Sequence, residues 1–374
     1  LPRFWTTLQK SAIPASWKRL YERGLKVMGN VVKERGLVLE KTFVAVGKQL
    51  TQAGVGQKVL ELILIGVVFL ILVPFLGAHR ATDFAIFCII VLSFDLLYGY
   101  MGRLSFGHLL YVGVGAYTVG LALRYLTTNP LLAIVLGVVA ACLAGMAVGA
   151  ITVRVAGAAF ALANLAFNRV GWFLVMSPLK DITGGENGLS IRNLSFWYVN
   201  FRNPAFRFWF VLASLLLVFF LLRMFTSSSY GVLLRSIKED ERRVRFLGYN
   251  TQFYKWVTFV VAATVAGFGG ALTALNYGYV NPNTLDVHGN AGIVFACLLG
   301  GSGRLYGALL GGIIYMLITN LLPVYFQRWE FFLGVALLLI VFRFRGGIWG
   351  GLEALYSGLA ARAKSGSSKE GVSR

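Results

Sequence analysis

RSIKEDERRVRFLGYNTQFYKWVTFVVAATVAGFGGALTALNYG, residues 235–278, decides the fold. From Trp256 to Tyr277 it carries no charged side chain, a length that lets an α-helix cross the roughly 30 Å hydrocarbon core of a bilayer. Immediately before it, Glu239, Asp240 and Glu241 stand beside Arg242, Arg243 and Arg245. A charge cluster abutting an uncharged run is the alternation of a chain that crosses lipid repeatedly. Working outward, further apolar runs lie at about 60–77, 84–101, 104–123, 131–153, 155–177, 205–223, 287–302, 305–322 and 329–345. With 256–277 they predict an all-α polytopic membrane protein of about ten transmembrane helices. The third run is rich in glycine (Gly107, Gly113, Gly115, Gly120) and the eighth is short, so both are expected to be broken or re-entrant. Such backbone survives at membrane depth only when packed in protein or lining a water-filled cavity.

Composition agrees. Of 374 residues, 57% are apolar and 13% charged, against roughly 25% charged in a soluble domain. The 35 Lys and Arg against 15 Asp and Glu do not mark a nucleic-acid binder, because they sit in short clusters between apolar runs. Cys88, Cys142 and Cys297 each lie inside an apolar run without CxxC spacing, which excludes a zinc site or disulfide framework. No cleavable signal peptide is expected, since the first long apolar run begins near residue 62.

Lysine and arginine set the orientation. With the N-terminus inside, the outer connections hold Arg80, Arg124, Lys180, Arg192, Arg202 and Arg328, and the inner segments hold 26 basic residues. Both termini are therefore expected in the cytoplasm. Residues 1–58 form a basic N-terminal extension in which Trp5, Trp17, Leu20 and Val31 alternate with Lys and Arg. It reads either as an amphipathic helix lying on anionic lipid or as a solvated basic leader. Residues 59–350 form the membrane domain, with a charged inner connection at 224–255, and the tail 351–374 is expected to be disordered.

No GxxxxGK[ST] loop, HExxH or GxSxG motif occurs, so neither nucleotide hydrolysis nor an enzyme of those classes is expected. Transport is the natural role. Along this charged connection Leu234, Ile237, Val244 and Leu247 recur at helical spacing and Gly248 is a stop signal, which predicts a short amphipathic helix between two spans. It reads as a docking element or as a solvated segment held by i,i+4 ion pairs. Polar residues inside the spans are costly and tend to be functional. Asp95, Ser105, His108, Asn164, Asn168, Arg169 and Asn290 fall there. Asn164 and Asn168 share one helix face, with Arg169 one step round. These side chains read as a translocation path or as interhelical hydrogen bonding, and Asp95 with Arg169 as a possible ion pair.

IKEDERRVRFLGYNTQFYKWVTFVVAATVAGFGGALTA (237–274), GYVNPNTL (278–285) and LLGGSGRLYGALLGG (298–312) resemble the branched-chain amino-acid type of ABC importer permease, the LivM-like subunit. LSFDLLYGYMGRLSFGHLLYVGVGAYT (92–118) and TGGENGLS (183–190) resemble the same family in the same order. The resemblance implies a bacterial inner-membrane permease that pairs with a second related permease subunit and two ATPase subunits, and receives solute from an extracytoplasmic binding protein. It implies that the partner ATPase, not this chain, binds ATP and Mg. It also implies that 235–248 is the coupling helix, with Lys238, Glu239, Asp240, Glu241, Arg242 and Arg243 in polar contact with the ATPase and Leu234, Ile237 and Leu247 seating it up to Gly248. Many members carry a glycine and an acid where Asn168 and Arg169 stand. The reversed sign admits a carboxylate or amide solute as readily as a branched-chain amino acid. The alternative is a self-sufficient secondary transporter or channel, which often shows two related halves; none are evident here.

Overall fold

The computed structural model describes residues 55–326 except 192–194 and 197–198, together with residues 331, 334–335 and 346–351. The chain divides into two compact units, 1–60 and 61–374, and the architecture below is that of the second. In chain order the helices are α1 (Val55–Leu76), α2 (Ala78–Asp95, continued by a π-helical turn to Tyr100), α3 (Leu109–Leu121, continued by a π-helical turn to Leu126), α4 (Pro130–Thr152), α5 (Ala158–Met176), the single turn α6 (Lys180–Thr183), α7 (Pro204–Ser227), α8 (Ser229–Phe246), α9 (Thr251–Tyr277), α10 (Val287–Gly300) and α11 (Leu305–Tyr325). Among the described residues, α2, α3, α4, α5, α7, α9 and α11 are long and apolar enough to span a membrane, and α1 and α10 are shorter apolar helices. The protein is an all-α polytopic membrane protein. The expected tenth span at 329–345, the extension 1–58 and the tail 351–374 lie outside the described residues, apart from residues 55–58, 331, 334–335 and 351.

Several boundaries follow from local chemistry. Asn129 caps α4 by accepting from the Leu131 amide at 3.0 Å, and Asn203 caps α7 by accepting from Ala205 at 3.0 Å. In each case a proline follows at the first helical position, where its missing N–H costs nothing. Asn250 caps α9 through the Phe253 amide at 3.3 Å.

The third run departs from expectation. A helix was expected from 104, but it begins at Leu109, and Met101–His108 is irregular backbone. Gly102, at φ +74°, cannot continue a helix. Ser105 and His108 are fully buried on this loop rather than on a helix. A Cβ on Gly107 would overlap the Asn164 carbonyl, so the loop lies directly on α5. The eighth run is a helix of 14 residues, about 21 Å long, which is less than the hydrocarbon thickness. It stops at Gly301, whose φ is +108°.

The most enclosed span is α2, packed by α9, α7, α11 and α10. α9 crosses α3 and α4 at their glycines. α10 and α11 meet through Gly300, Gly307 and Gly311, the last two spaced as the GxxxG pattern requires. At the end of the bundle opposite α8, Leu189–Ser190 pairs antiparallel with Tyr279–Val280, tying the TGGENGLS turn to the segment after α9.

Candidate functional site

The expected amphipathic helix is present but longer and bent. α8 starts at Ser229, and Asp240 has extended backbone (φ −154°, ψ 92°) that splits it into two pieces. The reason is local. The Asp240 carboxylate accepts from the amides of Arg242 at 3.0 Å and Arg243 at 3.2 Å, which makes it the N-cap of the second piece. Those bonds, the Arg243 amide foremost, hold the Asp240 carboxyl below its ordinary value. A single unbroken coupling helix over 235–248 is thereby corrected to an elbow.

Glu241, one residue on, ties the elbow to the bundle. Its Oε1 accepts from Lys255 of α9 at 2.7 Å, Arg245 at 3.0 Å and the Thr251 hydroxyl at 3.1 Å, while Oε2 accepts from Arg103 at 3.3 Å. The Lys255 side chain is only 2% exposed. Burial acts to raise the Glu241 carboxyl, but the Lys255 ammonium, then Thr251 and Arg245, outweigh it and hold the group below its ordinary value. Lys238 donates to the Gly99 carbonyl at 2.7 Å, and the Tyr230 hydroxyl donates to the Tyr254 carbonyl at 2.6 Å. α8 is thus fastened to the π-helical turn that ends α2 and to the start of α9.

The apolar residues of α8 divide in two. Leu234, Ile237 and Val244 are buried against the chain's own bundle, so Leu234 and Ile237 cannot seat the element in a partner's groove. Phe246 (91% exposed) and Leu247 (75%) protrude, flanked by exposed Arg242, Arg243 and Arg245, and Glu239 is also exposed. Gly248, exposed, ends the element.

The interior polar residues do not form one stripe. Asn168 donates to the Leu285 carbonyl at 2.6 Å and accepts from Asn290 at 3.2 Å, and Asn290 accepts from the Leu109 amide at 2.9 Å. That chain of bonds joins α5, α10 and the start of α3. Asn164 donates to the Phe160 carbonyl at 2.8 Å, and His108 shares a hydrogen bond of 2.7 Å with Ser93. Of the two readings of Asp95 and Arg169, the ion pair is not formed. Asp95 is buried and accepts from the Gly303 amide at 2.7 Å and the Cys297 thiol at 3.4 Å, whereas Arg169 lies exposed on the far side of α5. One residue of helix, about 100°, separates inward Asn168 from outward Arg169. Replacing Asn290 with leucine leaves the Leu109 amide without an acceptor and the Asn168 side-chain oxygen without a donor. We expect a loss of about 1–2 kcal/mol, read as a lower midpoint of thermal unfolding in detergent, and no smaller a loss for Asn290→Asp, which keeps the acceptor for Leu109 but sets a buried carboxylate against the Asn168 oxygen.

Three features escaped the sequence reading. Arg103 and Lys255 are partners of Glu241. At the other end of the bundle, Asn276 donates to Asp83 at 2.6 Å and Arg207 donates to the Asn276 carbonyl. Beside the elbow a cavity of about 560 Å³ is lined by Arg103, Lys238 and Glu241 together with Leu104, Phe106 and the first turns of α5. Among the described residues no group of three His, Cys, Asp or Glu could hold a metal ion.

Comparison with known proteins agrees with this architecture. The family described as branched-chain amino acid transport system / permease component matches residues 76–342. The high-affinity branched-chain amino acid transport system permease protein LivM of Escherichia coli is 27% identical over 277 residues, which cover 67% of this chain and 65% of that protein. The probable LivM of Methanocaldococcus jannaschii is 25% identical over 67% of this chain and 83% of its own length, and LivH of Escherichia coli is 26% identical over 68% and 88%. The chain thus spans just under two thirds of the Escherichia coli LivM that it matches. No solved structure matches it. With the match covering most of the described helices and the elbow between α7 and α9, the chain belongs to the branched-chain amino acid transport permease family.

Proposed function

We propose that this chain is the permease subunit of an ATP-driven importer in a bacterial inner membrane, with both termini cytoplasmic. A second related permease subunit completes the path, two ATPase subunits bind the ATP and Mg, and an extracytoplasmic binding protein delivers the solute. The solute is a branched-chain amino acid or a related amino acid, amide or carboxylate. The named relatives are branched-chain amino acid permeases, which supports that class.

The observation that carries the reading is the α8 elbow. Phe246, Leu247, Tyr249 and Phe253 are exposed together beside three arginines, and aromatic and arginine side chains are the commonest interface anchors. A push on that patch reaches α9 through Glu241 and Lys255 and reaches α2 through Arg103 and Lys238. Those helices form the middle of the bundle, so the force is delivered where it can rock the whole domain.

A second observation bears on the path. Arg169 lies on α5, the least enclosed span, about 16 Å from that helix's first residue. A cation in that position facing lipid costs at least about 2.5–3.5 kcal/mol, so this face belongs against protein or water. The path therefore runs along the outward face of α5, where the second permease subunit packs.

Phe246→Asp with Leu247→Asp is expected to cut ATP-driven uptake at least tenfold and to lose the ATPase subunits on purification, with membrane insertion unchanged. Normal uptake in that double variant, or labelling of an Arg243→Cys variant from outside the cell, would overturn the coupling assignment.

A further inference from the structure

Leu162, on the wall of the cavity beside the elbow, sits seven residues before Arg169. Seven residues are two turns, so both side chains lie on one face of α5, about 10 Å apart along the axis. The cavity therefore lies at the inner end of the face that carries Arg169. Its walls are divided by chemistry. Leu104, Phe106, Ala158, Ala161 and Leu162 supply apolar surface, and Arg103 and Lys238 supply cations.

Those cations have donors to spare. Arg103 makes hydrogen bonds of 3.3 Å to the Val155 carbonyl and 3.3 Å to Glu241, out of five N–H groups. Lys238 makes a hydrogen bond of 2.7 Å to the Gly99 carbonyl, out of three. Glu241 does not cancel them, because its Oε1 is already taken by Lys255 and Arg245. The volume of about 560 Å³ is in the range of sites for small organic ligands.

We propose that this cavity is an inner-face site for an aliphatic carboxylate, the transported solute after it has passed Arg169. The inference rests on the functional reading above and names a second station on that path. Arg103 and Lys238 hold the carboxylate, and the aliphatic tail lies along Ala158, Ala161 and Leu162. An occupant competes with Glu241 Oε2 for Arg103, and it fills the space between α5 and the elbow. Product on the inner side thus resists the movement of α8 and slows the motor.

The test uses the assembled complex in lipid nanodiscs, without binding protein, with ATP hydrolysis measured against added L-leucine, 4-methylpentanoate or 3-methylbutylamine. L-leucine and 4-methylpentanoate, which carry the carboxylate, are expected to lower the rate at least twofold, and the amine to leave it unchanged. Arg103→Gln and Ala158→Trp, the latter filling the cavity without touching the ion pairs, are each expected to abolish the effect relative to their own unliganded rates. No slowing, equal slowing by the amine, or slowing that survives Ala158→Trp overturns the site. Uptake of L-leucine by the same complex in vesicles, with the binding protein now supplied, separates the two claims. Uptake without inner-face slowing sinks this site alone, and absence of uptake sinks the functional reading and the site with it.

Discussion

Glu241→Gln is expected to destabilise the protein by about 3 kcal/mol and to abolish ATP-driven uptake. The substitution keeps the shape of the side chain but removes its charge. Lys255, whose side chain is 2% exposed, then faces Arg103 and Arg245 with no anion between them. Breaking a buried pair by removing one partner costs about 3–5 kcal/mol, and the lower figure applies because the Glu241 side chain keeps 23% exposure. The double variant Glu241→Gln with Lys255→Met removes the stranded cation. It should recover most of the lost stability, read by thermal unfolding, while uptake stays low because α8 is no longer fastened to α9. A loss below about 0.5 kcal/mol for the single variant, the scale of an exposed pair, would show that Glu241 does not hold the elbow. The same pair predicts a pH effect. The Glu241 carboxyl is held below its ordinary value in the folded protein, so its contribution is complete above about pH 4.5 and is lost as pH falls through the depressed native value. Reversing Glu239, exposed and one turn away from none of these partners, is expected to act on docking alone.

Gly270→Val is expected to prevent the bundle from closing. A Cβ at Gly270 would overlap the backbone carbonyl of Val112 on α3, and one at Gly267 would overlap the Ala141 side chain on α4. On the opposing helix, a Cβ at Gly115 would overlap the Gly267 carbonyl. α9 and α3 therefore touch backbone to backbone. Overpacking a core costs about 1–3 kcal/mol when side chains can move aside, and more when the obstacle is a carbonyl fixed in a helix. We expect more than about 3 kcal/mol, seen as loss of a monodisperse peak in detergent and degradation in the membrane. Gly270→Ala should show a smaller defect of the same kind. Gly66→Val on α1, where a Cβ meets nothing within 4 Å, is the matched control and should fold normally. Wild-type behaviour of Gly270→Val would mean that α3 and α9 do not cross at this point.

Sequence and structure divide the account along a physical line. The apolar runs placed most of the long helices, and the spacing of Leu234, Ile237 and Val244 marked α8 as one-sided. The Asp240 elbow also had a local signal, since aspartate inside a helix prefers to cap a new turn. Nothing local showed that Arg103 would meet Glu241 across 138 residues, or that Asp95 would turn to Gly303 and leave Arg169 outside. Equally hidden were the cavity at the foot of α5 and the fact that Leu234 and Ile237 face inward. The sequence by itself determined that this is an all-α chain crossing the membrane repeatedly and where its charged connection falls, because a bilayer demands that each segment satisfy its own backbone and hide its own polarity. Only the tertiary structure decided which side chains became partners, because a helix's rotation about its axis is set by the neighbours it packs against and a single residue of difference turns a side chain by about 100°.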